Sequence, residues 1–373
     1  MIEPKQFYDF ITSSGIKFYT GVPDSLLKNF CYYISDNVDG NNHIIAANEG
    51  NAIALATGYH LATGKLPLVY MQNSGIGNAI NPLLSLCDPA VYSIPILMLI
   101  GWRGEPGVPD EPQHIKQGEV QLDLLRALDI PFEIISKEEH NFEKVIIKCI
   151  QKSLKENRPV AVLVKKGTFN LYQSSTVNEK KYITRENSLE IILSEISDSS
   201  IIISTTGKTS REIFEIREKN NLPHNRDFLT VGSMGHCSSI ALGIAISKPN
   251  KKVICIDGDG SLIMHMGSLS TIGKVSPQNF YHILINNYAH ESVGGQATSA
   301  KIIEMSDLAM SNGYKHTFSI QSANKLRSQI KKYITCQGPA FMEIKTQIGS
   351  RSNLGRPTIS SIDNKKLFID YLR

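Results

Sequence analysis

Val253-Ile254-Cys255-Ile256-Asp257-Gly258-Asp259-Gly260-Ser261 runs from an apolar segment straight into a glycine-bracketed acid, and Asn286-Asn287 begins 25 positions after Ser261. The apolar run 253–256 reads as a buried strand of a parallel sheet. Such a strand delivers Asp259 to the carboxyl edge, where open α/β folds bind their ligands. Gly258 and Gly260 let the backbone come close to phosphate oxygens, and Ser261 adds a hydroxyl. A second apolar run, 281–285, brings Asn287 to the same edge. Asp, Asn and a backbone carbonyl are hard oxygen ligands, and Mg²⁺ takes few of these while keeping phosphate oxygens and water. On its own Gly-Asp-Gly is also an ordinary turn. The strand before it and the asparagine pair after a second strand turn it into the pattern of a magnesium-diphosphate site.

Outward from this edge, helix-like and strand-like segments alternate. The first half reads as helix 4–14, strand 18–20, helix 25–35, strand 43–46, helix 50–63, strand 68–72, helix 78–87 and strand 94–100. After the Pro-, Gly- and acid-rich stretch 105–111 the pattern resumes up to strand 160–165. A second series runs from strand 201–204 through 253–256 and 281–285 to 340–345. Alternation of this kind predicts an α/β protein with two similar wound parallel-sheet domains. The polar stretch 170–185 breaks the period, so the expected division is 1–170 and 191–373 with a linker at 171–190.

The bulk properties fit that layout. With 373 residues and 41% apolar content the chain has material for two cores. It holds no run of about 20 uncharged apolar residues, and Glu3, Lys5 and Asp9 do not make a signal peptide, so a cytoplasmic location without membrane insertion is expected. The six cysteines, at 31, 87, 149, 237, 255 and 336, form no Cys-x-x-Cys pair or zinc spacing and are expected to be buried thiols. A formal charge of +4 with interspersed acids gives nucleic-acid binding no support.

The first half contributes Ala47-Asn48-Glu49-Gly50-Asn51-Ala52, leading into a helix with small residues at Ala54, Ala56 and Gly58. Glu49 alone would read as a helix N-terminal carboxylate favoured by the dipole. Together with the Gly258-to-Asn287 pattern, however, it resembles the paired motifs of the thiamine-diphosphate-dependent enzymes. The resemblance covers nearly the whole chain and implies a pyrimidine-binding domain followed by a diphosphate-binding domain of the same fold. It also implies a homodimer or larger homo-oligomer, with the active site between the pyrimidine domain of one subunit and the diphosphate domain of another. Glu49 is then the catalytic acid that hydrogen-bonds the aminopyrimidine, kept partly neutral by its apolar setting. Asp259, Asn287 and the Ala289 carbonyl become the Mg²⁺ ligands. Tyr288, after the asparagine pair, departs from the small residue common there.

Further cofactor contacts follow from the same resemblance. In Gly232-Ser233-Met234-Gly235-His236, Met234 takes the place of the apolar side chain that bends the cofactor, and Gly232 offers a carbonyl to its amine. Thr206-Gly207-Lys208-Thr209 lacks the upstream glycine of a P-loop, since Ile202 stands there. Thr206 and Gly207 are nonetheless expected at the diphosphate, at a helix start. Asn73-Ser74-Gly75-Ile76-Gly77-Asn78 lies where relatives carry a glycine loop near the pyrimidine, which assigns Asn73 and Gly75 to the cofactor; its plainer reading is a strand-to-helix turn with a capping Asn.

Thiamine enzymes act beside carbonyl groups, so decarboxylase, carboligase and transketolase chemistry all remain open on the cofactor alone. The strings Gly21-Val22-Pro23-Asp24-Ser25, Glu111-Pro112-Gln113-His114-Ile115-Lys116-Gln117-Gly118, Thr206-Gly207-Lys208-Thr209-Ser210-Arg211-Glu212 and Ser292-Val293-Gly294-Gly295-Gln296 resemble the phosphonopyruvate decarboxylases among the 2-oxo acid decarboxylases. The sulfopyruvate decarboxylases are the neighbouring alternative. The implied reaction is conversion of 3-phosphonopyruvate to phosphonoacetaldehyde and CO₂ in phosphonate biosynthesis. Asp24, Ser25 and His114 match the proton-handling positions; Asp24 also reads as a helix cap. An anionic substrate calls for cations, and Lys208, Arg211 and His290, with Lys116 and Arg103 behind them, are the candidates. A non-catalytic protein keeping the fold is a different class, and such a protein would have no need of Glu49.

Overall fold

Parallel strands buried on both faces organise this chain twice over. The computed structural model describes residues 1–138, 141–174 and 182–373. It divides into two compact units, 1–176 and 177–373.

The first unit runs α1 (Pro4–Ser13), β1 (Tyr19–Gly21), α2 (Lys28–Asn37), β2 (His43–Ile45), α3 (Glu49–Thr63), β3 (Leu68–Gln72), α4 (Ile76–Pro82), β4 (Ile96–Gly101), α5 (Pro112–Ala127), β5 (Phe132–Ile135), α6 (Phe142–Glu156) and β6 (Pro159–Val164). Its sheet is ordered β2-β1-β3-β4-β6-β5 and is parallel throughout. Strand β4 shows why the run is apolar without a break. Leu97 and Leu99 enter one core with Phe7, Phe30 and Phe169, while Ile96, Met98 and Ile100 enter another with Ile53 and Ile76 on the opposite face.

The second unit runs α7 (Arg185–Glu195), β7 (Ile201–Ser204), α8 (Lys208–Lys219), β8 (Asp227–Leu229), α9 (Cys237–Ser247), β9 (Val253–Gly258), α10 (Asp259–Met264), α11 (Ser268–Val275), β10 (Phe280–Asn286), α12 (Met305–Ser311), β11 (His316–Ile320), α13 (Ala323–Thr335), β12 (Ala340–Lys345) and α14 (Ser361–Leu372). Its order, β11-β12-β10-β9-β7-β8, is the first unit's order read from the other edge. Both sheets therefore reverse winding between their first and third strands, the crevice where ligands of open α/β folds bind. The registers Ser204↔Ile256 and Gly258↔Ile285 bring Thr205, Asp259 and Asn287 to one edge.

Three local expectations change. The helix expected from residue 25 starts at Lys28, because Asp24 Oδ2 accepts from the N–H groups of Leu26 and Leu27 and holds a turn there. The helix expected over 78–87 is α4 followed by a π-turn, Leu83–Cys87, directly after Pro82, which has no N–H for the α-ladder. Helix α7 begins inside the stretch expected as linker, since the Thr184 side chain accepts from Asn187 N and caps it; residues 175–181 of that linker lie outside the described residues. Among the described residues, no helix is long and apolar enough to cross a membrane.

Candidate active site

In the second unit, three loops at the carboxyl edge are pinned together by two hydroxyls. The Thr206 Oγ1 accepts from Gly232 N at 3.0 Å. The Ser261 Oγ accepts from Gly235 N at 3.0 Å and from Thr205 Oγ1 at 3.1 Å. Thus Thr206, Gly232 and Ser261 are brought into one cradle. Its glycines are needed: Gly207 has φ +94°, and a Cβ on it would lie 2.8 Å from Ser292 Oγ. A Cβ on Gly260 would lie 2.9 Å from His290 Nδ1 and 3.3 Å from Met234 Cε. His290 and Met234 therefore converge over the backbone that follows Gly258 and Asp259.

Asp259 opens α10 and is buried, its Oδ2 accepting from Thr298 Oγ1 at 2.5 Å. Burial pushes its carboxyl up to about 7, so a bound cation would favour the ionised form. Asn287 is oriented from both ends. Its Nδ2 donates to Glu291 Oε2 at 2.7 Å, and its Oδ1 accepts from Ala289 N at 3.1 Å. The Ala289 carbonyl accepts from Glu291 N at 2.9 Å, which leaves it one lone pair. Tyr288 sits between them at φ +60°, a left-handed residue that turns the loop, with its N–H on Asn286 Oδ1.

Glu291 is the organiser that sequence reading missed. Besides Asn287, it accepts from Lys208 Nζ at 2.8 Å and Arg185 Nη1 at 2.7 Å, and Arg185 also makes a bidentate pair with Glu212. Burial raises the Glu291 carboxyl, but Arg185 and Lys208 outweigh it and hold it below the usual range. The cations separate accordingly. Lys208 stays beside the start of α8 within this network. Arg211, expected at the substrate, instead donates to the carbonyls of Gly355, at 2.6 Å, and Leu354, so its fork closes a backbone segment. Burial lowers the His290 imidazole to about 4, leaving it neutral near pH 7.

In the first unit, Glu49 lies at the start of α3, behind the Asn48 cap, and is 5% exposed. Its Oε2 accepts from Asn78 Nδ2 at 2.8 Å. A Cβ on Gly75 would fall 2.3 Å from Glu49 Oε1, so Gly75 is the space the carboxyl occupies. Asn73 acts differently from expectation. Its amide clips two strand ends, donating to Arg103 O at 2.8 Å and accepting from Arg103 N at 3.2 Å, so its side chain is engaged with backbone.

Asp24 is fully buried. Gln72 Nε2 donates to its Oδ1 at 2.8 Å, and a Cβ on Gly101 would stand 2.0 Å from its Oδ2. Burial raises this carboxyl despite those hydrogen bonds. Ser25 is held through its Oγ, which accepts from Arg103 Nη1 at 2.7 Å, and Arg103 is in turn paired with Asp110. His114, 9% exposed near the start of α5, has an Nδ1 with no partner among the described residues; burial and Arg103 lower it to about 4. Lys116 is exposed and pairs only loosely with Glu119 at 3.3 Å, as a solvated surface charge does. Gln72, Asn78, Gly101 and Thr298 join Glu291 as positioning residues that motif spacing alone did not single out.

Comparison with known proteins identifies the family of both units. Residues 4–125 match the thiamine pyrophosphate enzyme N-terminal TPP binding domain, and 205–344 the C-terminal TPP binding domain. The phosphonopyruvate decarboxylase of Streptomyces viridochromogenes is 30% identical over 374 residues, covering 96% of this chain and 92% of that protein. That of Streptomyces hygroscopicus is 30% identical over 388 residues, covering 100% and 94%. The sulfopyruvate decarboxylase of Methanosarcina acetivorans is 26% identical over 368 residues, covering 92% and 90%. With both cofactor domains matched and full-length relatives at this identity, the chain belongs to the thiamine-diphosphate-dependent 2-oxo acid decarboxylase family, alongside the phosphonopyruvate decarboxylases.

Proposed function

We propose that this protein converts 3-phosphonopyruvate to phosphonoacetaldehyde and CO₂ with thiamine diphosphate and Mg²⁺, as a step of phosphonate biosynthesis in the cytoplasm. The observation that carries the reading is the buried Asp259 carboxyl next to the cradle of Thr206, Gly232 and Ser261, in which Gly207 stands at φ +94° and Gly260 lies under His290 and Met234. A buried carboxyl next to an amide and a carbonyl is a hard-oxygen donor set, and the cradle suits diphosphate. Asp259, Asn287 and the Ala289 carbonyl would hold Mg²⁺. Thr206, Gly207, Gly258, Gly260 and Ser261 would hold the diphosphate, and Gly232, Met234 and Gly75 the rings.

When bound, thiamine diphosphate supplies a nucleophilic carbon and an electron sink for decarboxylation. The chain's own residues supply the protons and the orientation. Glu49 faces the space over Gly75 with Oε1 while Asn78 fixes its carboxyl at Oε2. Asp24, raised by burial, retains a proton near neutral pH more readily than a solvated acid. His114, neutral and with an Nδ1 that has no hydrogen-bond partner among the described residues, accepts or returns a proton at that atom, and Ser25 Oγ, held by Arg103, adds a hydroxyl in this role. Lys208, able to exchange Glu291 for an anion, and His290 bind the phosphonate. The working form is a homodimer or larger homo-oligomer whose site is completed across the subunit interface.

Sulfopyruvate is the second reading, favoured by the similarity to the Methanosarcina acetivorans enzyme. The two substrates differ in the charge and shape of the group on C3. CO₂ and aldehyde release should be measured from 3-phosphonopyruvate, sulfopyruvate and pyruvate, with and without thiamine diphosphate and Mg²⁺. Cofactor-dependent preference for 3-phosphonopyruvate is expected. Turnover of sulfopyruvate alone would change the substrate and keep the chemistry, and turnover independent of cofactor would overturn both.

A further inference from the structure

Behind the Asp259 loop, two thiols, a carboxylate and an imidazole meet in the interior, and the reaction proposed above uses none of them. Cys255 and Asp257 are two apart on β9 and so share a face of the sheet. His282 on β10 stands opposite Cys255 in the register, and Cys237 opens α9, which packs on β9. All four are at most 1% exposed. The Sγ atoms of Cys237 and Cys255 and a carboxylate oxygen of Asp257 lie within 4.8 Å of one another.

Two distances carry the argument. The sulfurs are 3.9 Å apart, and His282 Nε2 faces Asp257 Oδ2 at 3.5 Å. The second separation is long for a hydrogen bond, so the two buried atoms face each other as an ion pair and neither makes a hydrogen bond among the described residues. Zn²⁺ bonded tetrahedrally at its usual lengths sets sulfur atoms about 3.8 Å apart and nitrogen and oxygen about 3.4 Å apart. The remaining atoms of both residues are already engaged as in a built metal site. His282 Nδ1 bonds Tyr314 Oη at 2.9 Å, which presents Nε2 inward, and Asp257 Oδ1 accepts from Gly258 N at 2.8 Å, which presents Oδ2.

We propose that Cys237, Cys255 and Asp257, which converge, together with His282 beside Asp257, form a structural site for a zinc-class divalent cation, tying β9, β10 and α9 together behind the cofactor loop. Thiolate donors separate it from the oxygen-only site at Asp259, which suits Mg²⁺. It is also a site that linear spacing conceals, because its four ligands come from three elements.

Metal content should be determined by mass spectrometry on full-length protein purified without chelator from zinc-supplemented cells. Co²⁺ should then be added to metal-stripped protein and its absorption recorded. About one zinc per chain is expected, with thiolate-to-cobalt charge-transfer and tetrahedral d–d bands. Cys255→Ala should lose zinc and bands together. Tyr314→Phe keeps all four ligands and should weaken zinc binding about 10- to 100-fold, a readout that does not depend on a ligand variant folding. Wild-type protein that stays free of zinc and gives no thiolate band, or that contains a Cys237–Cys255 disulfide, overturns the proposal. So does Cys255→Ala that binds zinc like the wild type.

Discussion

The two units share one strand order and equip the same carboxyl edge in opposite ways. In the first, buried acids are held by neutral amides, Glu49 by Asn78 and Asp24 by Gln72, and glycines 75 and 101 leave the room they occupy. In the second, charges meet charges: Arg185, Glu212, Glu291 and Lys208 form a continuous network that ends on Asn287. Burial raises the Asp24 carboxyl despite its neutral donors, whereas Arg185 and Lys208 hold Glu291 below the usual range. One topology thus surrounds its buried carboxyls with amides in one copy and with cations in the other.

The strongest way to break this division is to change one acid in each unit. Glu49→Gln keeps the shape and replaces the carboxyl by an amide. It should lower turnover about 10²- to 10⁴-fold while thiamine diphosphate binding, followed by tryptophan fluorescence or calorimetry, is retained. Asp259→Ala should instead lose Mg²⁺-dependent cofactor binding. If Glu49→Gln turned over normally, the proton role assigned to the first unit would be wrong.

A smaller effect tests the charge network. Glu291→Ala removes the partner shared by Arg185, Lys208 and Asn287, and Arg185 keeps only Glu212. A loss of about 2–4 kcal/mol is expected on denaturant unfolding, because a buried pair is broken with one partner left behind. Glu291→Gln, which preserves the bond from Asn287, should recover part of the Mg²⁺ dependence. A variant as stable as the wild type would show that the network is solvated.

The glycines sharpen the contrast further. Gly101→Ala would put a Cβ 2.0 Å from Asp24 Oδ2, an oxygen already accepting from Leu26 and Leu27. About 1–3 kcal/mol of destabilisation is expected. Gly260→Ala meets the movable ends of His290 and Met234 at 2.9 and 3.3 Å, so it should cost less stability while weakening cofactor binding. A larger drop in melting temperature for Gly260→Ala than for Gly101→Ala would reverse the assignment of the rigid and the adaptable edge.

These positioning contacts mark where sequence stopped being informative. Strands β3, β7 and β12 were legible to the residue, because each is a largely apolar run bounded by proline or a polar residue. Glu49, Asp259 and Asn287 were legible because each belongs to a motif of fixed spacing. The residues that orient them were not. Thr298 reaches Asp259 from 39 positions away and Gln72 reaches Asp24 from 48, separations that only the closed sheet brings together. Arg211 shows the converse error. Its nearness to Lys208 in sequence suggested a shared anion site, yet one helical turn directs it to the carbonyls of Leu354 and Gly355.

The finest test concerns His114, the buried imidazole proposed as a proton acceptor in the first unit. Burial and Arg103 lower it from 6.5 to about 4, with Asp110 opposing them. Between those values the unfolded chain binds a proton that the folded unit excludes. Its contribution to stability is therefore full above pH 6.5 and declines as pH falls toward 4. After discounting for partial contact with water, about 1 kcal/mol should disappear over that window. His114→Asn should flatten this part of the slope when urea midpoints at pH 7.5 and 5 are compared. His290, lowered in the same direction, leaves a residual slope in the variant that reports the second unit. Identical slopes in the two proteins would mean that the His114 ring takes up its proton without leaving the fold, and its role would then move from a neutral proton acceptor to a cation facing the substrate.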